Sequence, residues 1–433
     1  MAPTNVMRTS AFLTIGMLLA VPWAASGASA ATEAVTSLSV LRNPGGRVDW
    51  SPDGGLIAYD LRGADRYFDV YTMRPDATGQ TCLTCDHPAL PDNHIGNPAW
   101  HPSGRYLVLQ VEKVSHPGTS TYAHPGAGQF NDLWVLEVAT GVATAIHTLP
   151  LSGDAGTLHP HFSHDGARLS WSEMYRGTQI GVTGAEFGYW TMQVADFLES
   201  PPRLANIQAL EPAGTDTFYE NHGFSPDDRL LYFSKGPGPG GSVPAYRRMD
   251  IVSYNLVSGQ TTYLTSEGYN EHGIPSPDGR RIVWMSSMNT GGTLQAGTEF
   301  WIMDADGSGK RQLTCLNAPG HPHYQGTRPV TAADSSWSPA GDRIAGKVGG
   351  IGLDDAEFTI LMTLGEGPEV VCPGGGGVAI LLAVLLLVVI LVVAVVLLRR
   401  PRRPLTAGRG MPPPMAAAPA PPVPPNDLGI PPR

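Results

Sequence analysis

Thirteen histidines are distributed over 433 residues, and their neighbours suggest what they could do. His159 and His161 flank a proline, His222 sits in "ENHG", His272 in "NEHG", and His321 and His323 form "HPH". Glu220 and Glu271 lie one or two places before two of these imidazoles. Neutral imidazole ligates metals, and it titrates close to physiological pH. Imidazole with carboxylate and no thiolate suits zinc, manganese or nickel. The metal candidates are therefore His159, His161, His222, Glu271, His272, His321 and His323. The same residues would equally serve as the lining of a wet channel, hydrogen-bonded to one another and to water.

A repeat positions them. "VDWSPDGGLIAYD" at 48 returns as "PAWHPSGRYLVLQ" at 98, "PHFSHDGARLSWS" at 160, "HGFSPDDRLLYFS" at 222, "GIPSPDGRRIVWM" at 273 and "SSWSPAGDRIAGK" at 335. In each, a tight turn joins two runs of alternating apolar residues, the pattern of a hairpin; five of the six have Pro preset at the second turn position, and the third has His164 there. Third strands follow ("FDVYTM", "DLWVLEV", "DIVSYNL", "EFWIMDADG", "EFTILMTL"), then short fourth strands ("GQTCLTC", "GVATAIHTL", "GQTTYLTS", "GKRQLTC"). One such four-stranded sheet has two apolar faces. Six of them in a ring cover every face, so the expected fold is all-β, a six-bladed β-propeller of four-stranded antiparallel blades. "TSLSVL" (36–41) is expected to complete the sixth blade, with "PEVV" (368–371) as the competing segment.

The innermost strands of a propeller line its central channel. Three places before the residue that precedes each turn (Trp50, Trp100, Phe162, Phe224, Pro275 and Trp337) stand Arg47, Asn97, His159, Asn221, His272 and Asp334, all polar. They are expected to ring the channel mouth and to bind a ligand there. Long loops at 113–131, 174–187, 235–247 and 287–298 share that face. Ten histidines are placed on it, with His101, His147 and His164 elsewhere.

The ends of the chain differ in character. Residues 7–30 carry Arg8, a short apolar run and Ala28-Ser29-Ala30, which reads as a secretory signal peptide (1–30). After a propeller at 36–372 and a glycine link at 373–377, residues 378–398 are uninterruptedly apolar and long enough to cross a bilayer. "RRPRR" follows, which keeps the Pro-rich tail (399–433) cytoplasmic and the propeller outside, periplasmic or extracellular. Six Arg and one Asp follow the span and Arg8 precedes the body, so of a net charge of −10 the body itself carries about −16. That excludes nucleic acid as a partner. Outside the cell disulfides are permitted. Four cysteines allow three pairings, of which Cys82–Cys85 with Cys315–Cys372 is favoured. A single CxxC is too little for a structural zinc site. "DADGSG" (304–309) lacks the later acid of a calcium loop and reads as a hairpin turn.

The stretch "SPDGRRIVW…EFWIMDADGSGKRQLT" resembles the TolB-like (WD40-like) propeller repeat, and all six copies match in outline. The resemblance implies a six-bladed binding platform. Propellers of this kind also occur fused to serine peptidases, but no Gly-x-Ser-x-Gly elbow occurs here, so no catalytic residue is assigned. A fainter resemblance joins the histidines to the oligogalacturonate lyases, which hold a metal on one propeller face. His321 and His323 would match their His-x-His pair, although Ala318 replaces the Gln three places before it. The expected function is a membrane-anchored binding or scaffold module for an envelope protein, peptide or glycan. The alternative is a metal-dependent enzyme acting on acidic sugars, its cofactor a divalent transition metal.

Overall fold

The computed structural model describes residues 32–373, apart from 116–121, 180, 241, 327 and 351–356. The expected signal peptide, span and tail lie outside the described residues. Among the described residues no helix is long and apolar enough to cross a membrane, and the helices present are two three-residue 3-10 turns.

Six antiparallel four-stranded sheets make up the body. Their innermost strands are Val48–Trp50, Ile95–Trp100, Gly156–Phe162, Tyr219–Phe224, Asn270–Pro275 and Thr331–Trp337. Each touches the next, and Thr331–Trp337 touches Val48–Trp50, so the ring is closed. Closure leaves no blade face without a neighbour. Trp171, Trp284 and Phe300 lie fully buried in these layers.

The turn chemistry repeats from blade to blade. Ser51 Oγ donates to Asp53 Oδ1 at 2.6 Å, Asp53 accepts from the Gly55 amide at 2.9 Å, and Gly54 adopts φ 74°. Ser163–Asp165 and Ser276–Asp278 make the same bond at 2.6 Å. In the fourth blade Asp228 occupies the left-handed position at φ 58°. Its carboxylate accepts from the amides of His164 and Asp165, at 2.8 and 2.9 Å, and so ties that turn to the preceding blade. Asp tolerates this conformation better than most side chains, which explains how the repeat survives the loss of glycine there.

The N-terminal strand Thr32–Arg42 pairs antiparallel with Glu357–Gly367 and supplies the outermost strand of the sixth blade. It starts four residues earlier than the sequence pattern suggests. Residues 368–371 form no strand; the segment is tied to the fifth blade by the Cys315–Cys372 disulfide. Cys82–Cys85 is the second bridge.

Candidate functional site

Five of the six innermost strands carry a β-bulge at the same place: between Gly96 and Ala99, Leu158 and His161, Asn221 and Phe224, Glu271 and Ile274, and Ala332 and Ser335. At three of these bulges the polar ring residue itself is left-handed: Asn97 at φ 51°, His159 at 50° and His272 at 55°. A bulge re-aims a side chain that regular pleating would turn into a blade interface. Backbone held in this sparsely populated region concentrates at functional sites.

The bulges open onto a cavity of about 400 Å³. Arg47, His159, His272 and Asp334 line it, together with Glu220, Glu271 and Lys347. Aromatic side chains, among them Phe68, Phe187, Trp190, Phe218 and Tyr269, form part of the wall. Asn97 and Asn221 lie behind it. Asn97 donates to Gln110 Oε1 at 2.6 Å, and Asn221 donates to the His159 and Ser170 carbonyls at 2.7 and 3.1 Å. They brace the ring rather than face a ligand.

Asp334 is the hub of the polar cluster. Its Oδ1 lies 3.5 Å from Nδ1 of both His159 and His272, and its Oδ2 lies 3.7 Å from Arg47 Nε. Burial opposes its ionisation, but His272, His159, Arg47 and Lys347 hold it well below the usual carboxylate range. Arg47 also pairs with Asp60 at 3.4 Å, and Lys347 with Glu357 at 2.7 Å. Burial presses the Arg47 guanidinium to lose its proton; Asp60, Asp334 and Glu357 overcome that and raise its pKa.

Glu220 and Glu271 face imidazoles. His159 Nε2 is 3.2 Å and His222 Nε2 3.8 Å from Glu220, and His272 Nε2 is 3.9 Å from Glu271. Burial raises both carboxyls, Glu271 to about 7, and each is near enough to the other to share a proton. Burial lowers His159, His222 and His272 and so favours their neutral forms. One ring nitrogen from each of these three converges with the others within 4.8 Å, as do ligand atoms of Glu220, Glu271 and His272.

The remaining histidines go elsewhere. His161 is half-buried beside Gly223 and joins no such group among the described residues. His321 and His323 pack edge to face, 4.5 Å between centroids, and do not line the cavity. His87 bonds the Gly141 carbonyl at 2.7 Å, in the hairpin between the third and fourth strands of blade two, so it does not gather with the rest. His94 accepts the Phe68 amide at 3.3 Å. His124 does reach the cavity, and burial lowers its pKa well below the usual value. His116 lies outside the described residues. Sequence reasoning missed Lys347, Tyr269 and the aromatic wall, because they come from second strands, third strands and loops of different blades.

Four strands per blade, six blades and recurrent Ser-x-Asp turns decide the architecture. The fold is a six-bladed β-propeller. No family model matches the sequence, and no curated protein does. Among solved structures, TolB from Acinetobacter baumannii is 17% identical with a TM-score of 0.46, over 72% of this chain and 64% of that one. This chain thus spans under two thirds of that protein's length. A putative TolB from Agrobacterium tumefaciens is 20% identical with a TM-score of 0.40, over 66% and 94%. A gluconolactonase from Xanthomonas campestris is 16% identical with a TM-score of 0.46, over 78% and 94%. At such identities the likeness concerns the fold alone, and the propeller inherits no activity from it.

Proposed function

We propose that the propeller is an extracytoplasmic binding module, exported by the signal peptide and held at the membrane by residues 378–398. Its ligand is a peptide or glycan segment that enters the channel mouth on the loop face. The cavity carries this reading: a single concavity combines a polar floor with an aromatic wall. Its volume, about 400 Å³, lies within the range of small-ligand pockets. The aromatic faces suit the apolar side of a sugar ring or a side chain, and the floor suits its polar groups. The alternative, a lyase-like enzyme, draws less support, because His321 and His323 stand away from the cavity.

The test is capture of peptides and glycans by the intact chain in detergent, compared with the Tyr122→Ala and Phe187→Ala variants. Both residues line the cavity without being fully buried. A ligand retained by the wild type and lost from both variants supports the reading. Retention unaffected by either would overturn it. Deletion of 378–398 is expected to move the protein from the membrane to the soluble fraction.

A further inference from the structure

We infer that the hub holds one divalent transition-metal ion, ligated by His159, His222, His272 and the carboxylates of Glu220 and Glu271. This holds whichever ligand enters the mouth.

Three observations support it. The first is geometric. The three ring centroids stand 5.2, 5.3 and 6.0 Å apart. Imidazoles on one tetrahedral zinc, with Zn–N near 2.0 Å, stand about 5 Å apart by centroid. The arrangement therefore needs only a small contraction to close on an ion.

The second is orientation. Asp334 lies 3.5 Å from Nδ1 of both His159 and His272. A neutral imidazole that directs Nδ1–H at a carboxylate presents its Nε2 lone pair on the other side, the outer-shell arrangement of metal-bound histidine. Those Nε2 atoms point at Glu220 and Glu271. Ser234 Oγ, 2.6 Å from His222 Nε2, and the His272 amide, which donates to the same nitrogen at 3.2 Å, hold the third ring by that edge and leave Nδ1 as its unpartnered nitrogen.

The third is what the protein leaves undone. Glu220 Oε2 and His222 Nδ1 are buried, and no hydrogen-bond partner reaches either. Arg47 and Lys347 are already engaged by Asp60, Asp334 and Glu357. The groups paired with Glu220 and Glu271 are imidazoles, which carry no positive charge when neutral. A divalent cation would satisfy the orphan atoms and take the place of the proton that two facing carboxyls otherwise share. Nitrogen and oxygen donors without sulfur favour zinc, manganese, cobalt or nickel over copper(I).

The experiment uses the intact chain purified in detergent. It is stripped with chelator, incubated separately with Zn²⁺, Mn²⁺, Co²⁺ and Ni²⁺, desalted, and analysed for metal and by thermal melt. We expect about one ion per chain for at least one metal, with a raised melting temperature. His272→Ala should abolish retention. Glu271→Gln keeps the side-chain size, so it serves if the alanine variant misfolds. It should weaken binding at least about tenfold, since loss of even an outer-shell partner costs that much. In cobalt-loaded protein it should also change the visible absorption. His321→Ala should bind as the wild type does. No stoichiometric ion in folded wild type with any of the four metals would overturn the inference. So would undiminished binding in folded Glu271→Gln, or equal loss in His321→Ala and His272→Ala.

Discussion

Arg47 Nε of the first blade stands 3.7 Å from Asp334 Oδ2 of the sixth. The two residues are separated by most of the propeller in sequence. Their ion pair crosses the seam where the ring closes, and the same carboxylate orients His159 and His272. Ring closure and site assembly are thus one structural event.

Removal of residues 32–42 should abolish cooperative unfolding. It strips the outer strand from Glu357–Gly367 and exposes an unpaired edge. It also removes Glu33, which pairs with Arg281 and with Arg311, 3.5 Å away, on the fifth blade. Near-UV circular dichroism through a thermal melt checks it. Glu33→Ala alone should cost only about 1 kcal/mol, as expected of a partly exposed network.

Cys315→Ser should destabilise more than Cys82→Ser. The bridges close loops of 57 and 3 residues' separation. Chain entropy alone then gives about 4 kcal/mol for the long loop and about 2 for the short one. Urea midpoints of the two variants would decide the order, and equal loss would count against it.

Gly46→Ala should damage the site without touching a site residue. A Cβ there would lie 2.1 Å from the Asp60 carbonyl oxygen, a backbone atom that can move little. Relief requires the strand to shift at Arg47 and Asp60, whose pairing supports the hub. A loss of roughly 1–3 kcal/mol is expected from overpacking, together with weakened metal retention. Full retention at wild-type stability would contradict it.

Asp49 gives a pH signature at the same seam. Its carboxylate accepts from the Trp100 amide at 2.7 Å and the Ser336 hydroxyl at 2.8 Å, linking blades one, two and six. Burial is the larger influence and raises its pKa to about 6. The folded state therefore holds this proton more tightly than the unfolded chain does. The resulting stability is present below pH ~4 and is lost as the pH rises through about 6. Relative to Asp49→Asn, the wild type should gain about 1–3 kcal/mol as the pH falls from 7 to 4. Chemical denaturation of both proteins at several pH values measures this; parallel curves would refute it.

The blade count, the hairpin turns, the clasping of the ends by an N-terminal strand and the polar identity of the six hub positions are legible in the amino-acid order. Those features are local or periodic: Ser51-Pro52-Asp53-Gly54 makes its turn from its own side chains, and a period survives divergence of single copies. Which hub residues meet is a property of the folded ring. His159, His222 and His272 come from three blades, and they converge because bulges turn the backbone left-handed at His159 and His272. His321 and His323 are equal candidates in sequence, yet they pack on each other away from the cavity. Adjacency in the chain governs turns. Convergence at a hub depends on how strands from separate blades are bent, and alternation of apolar residues carries no record of that.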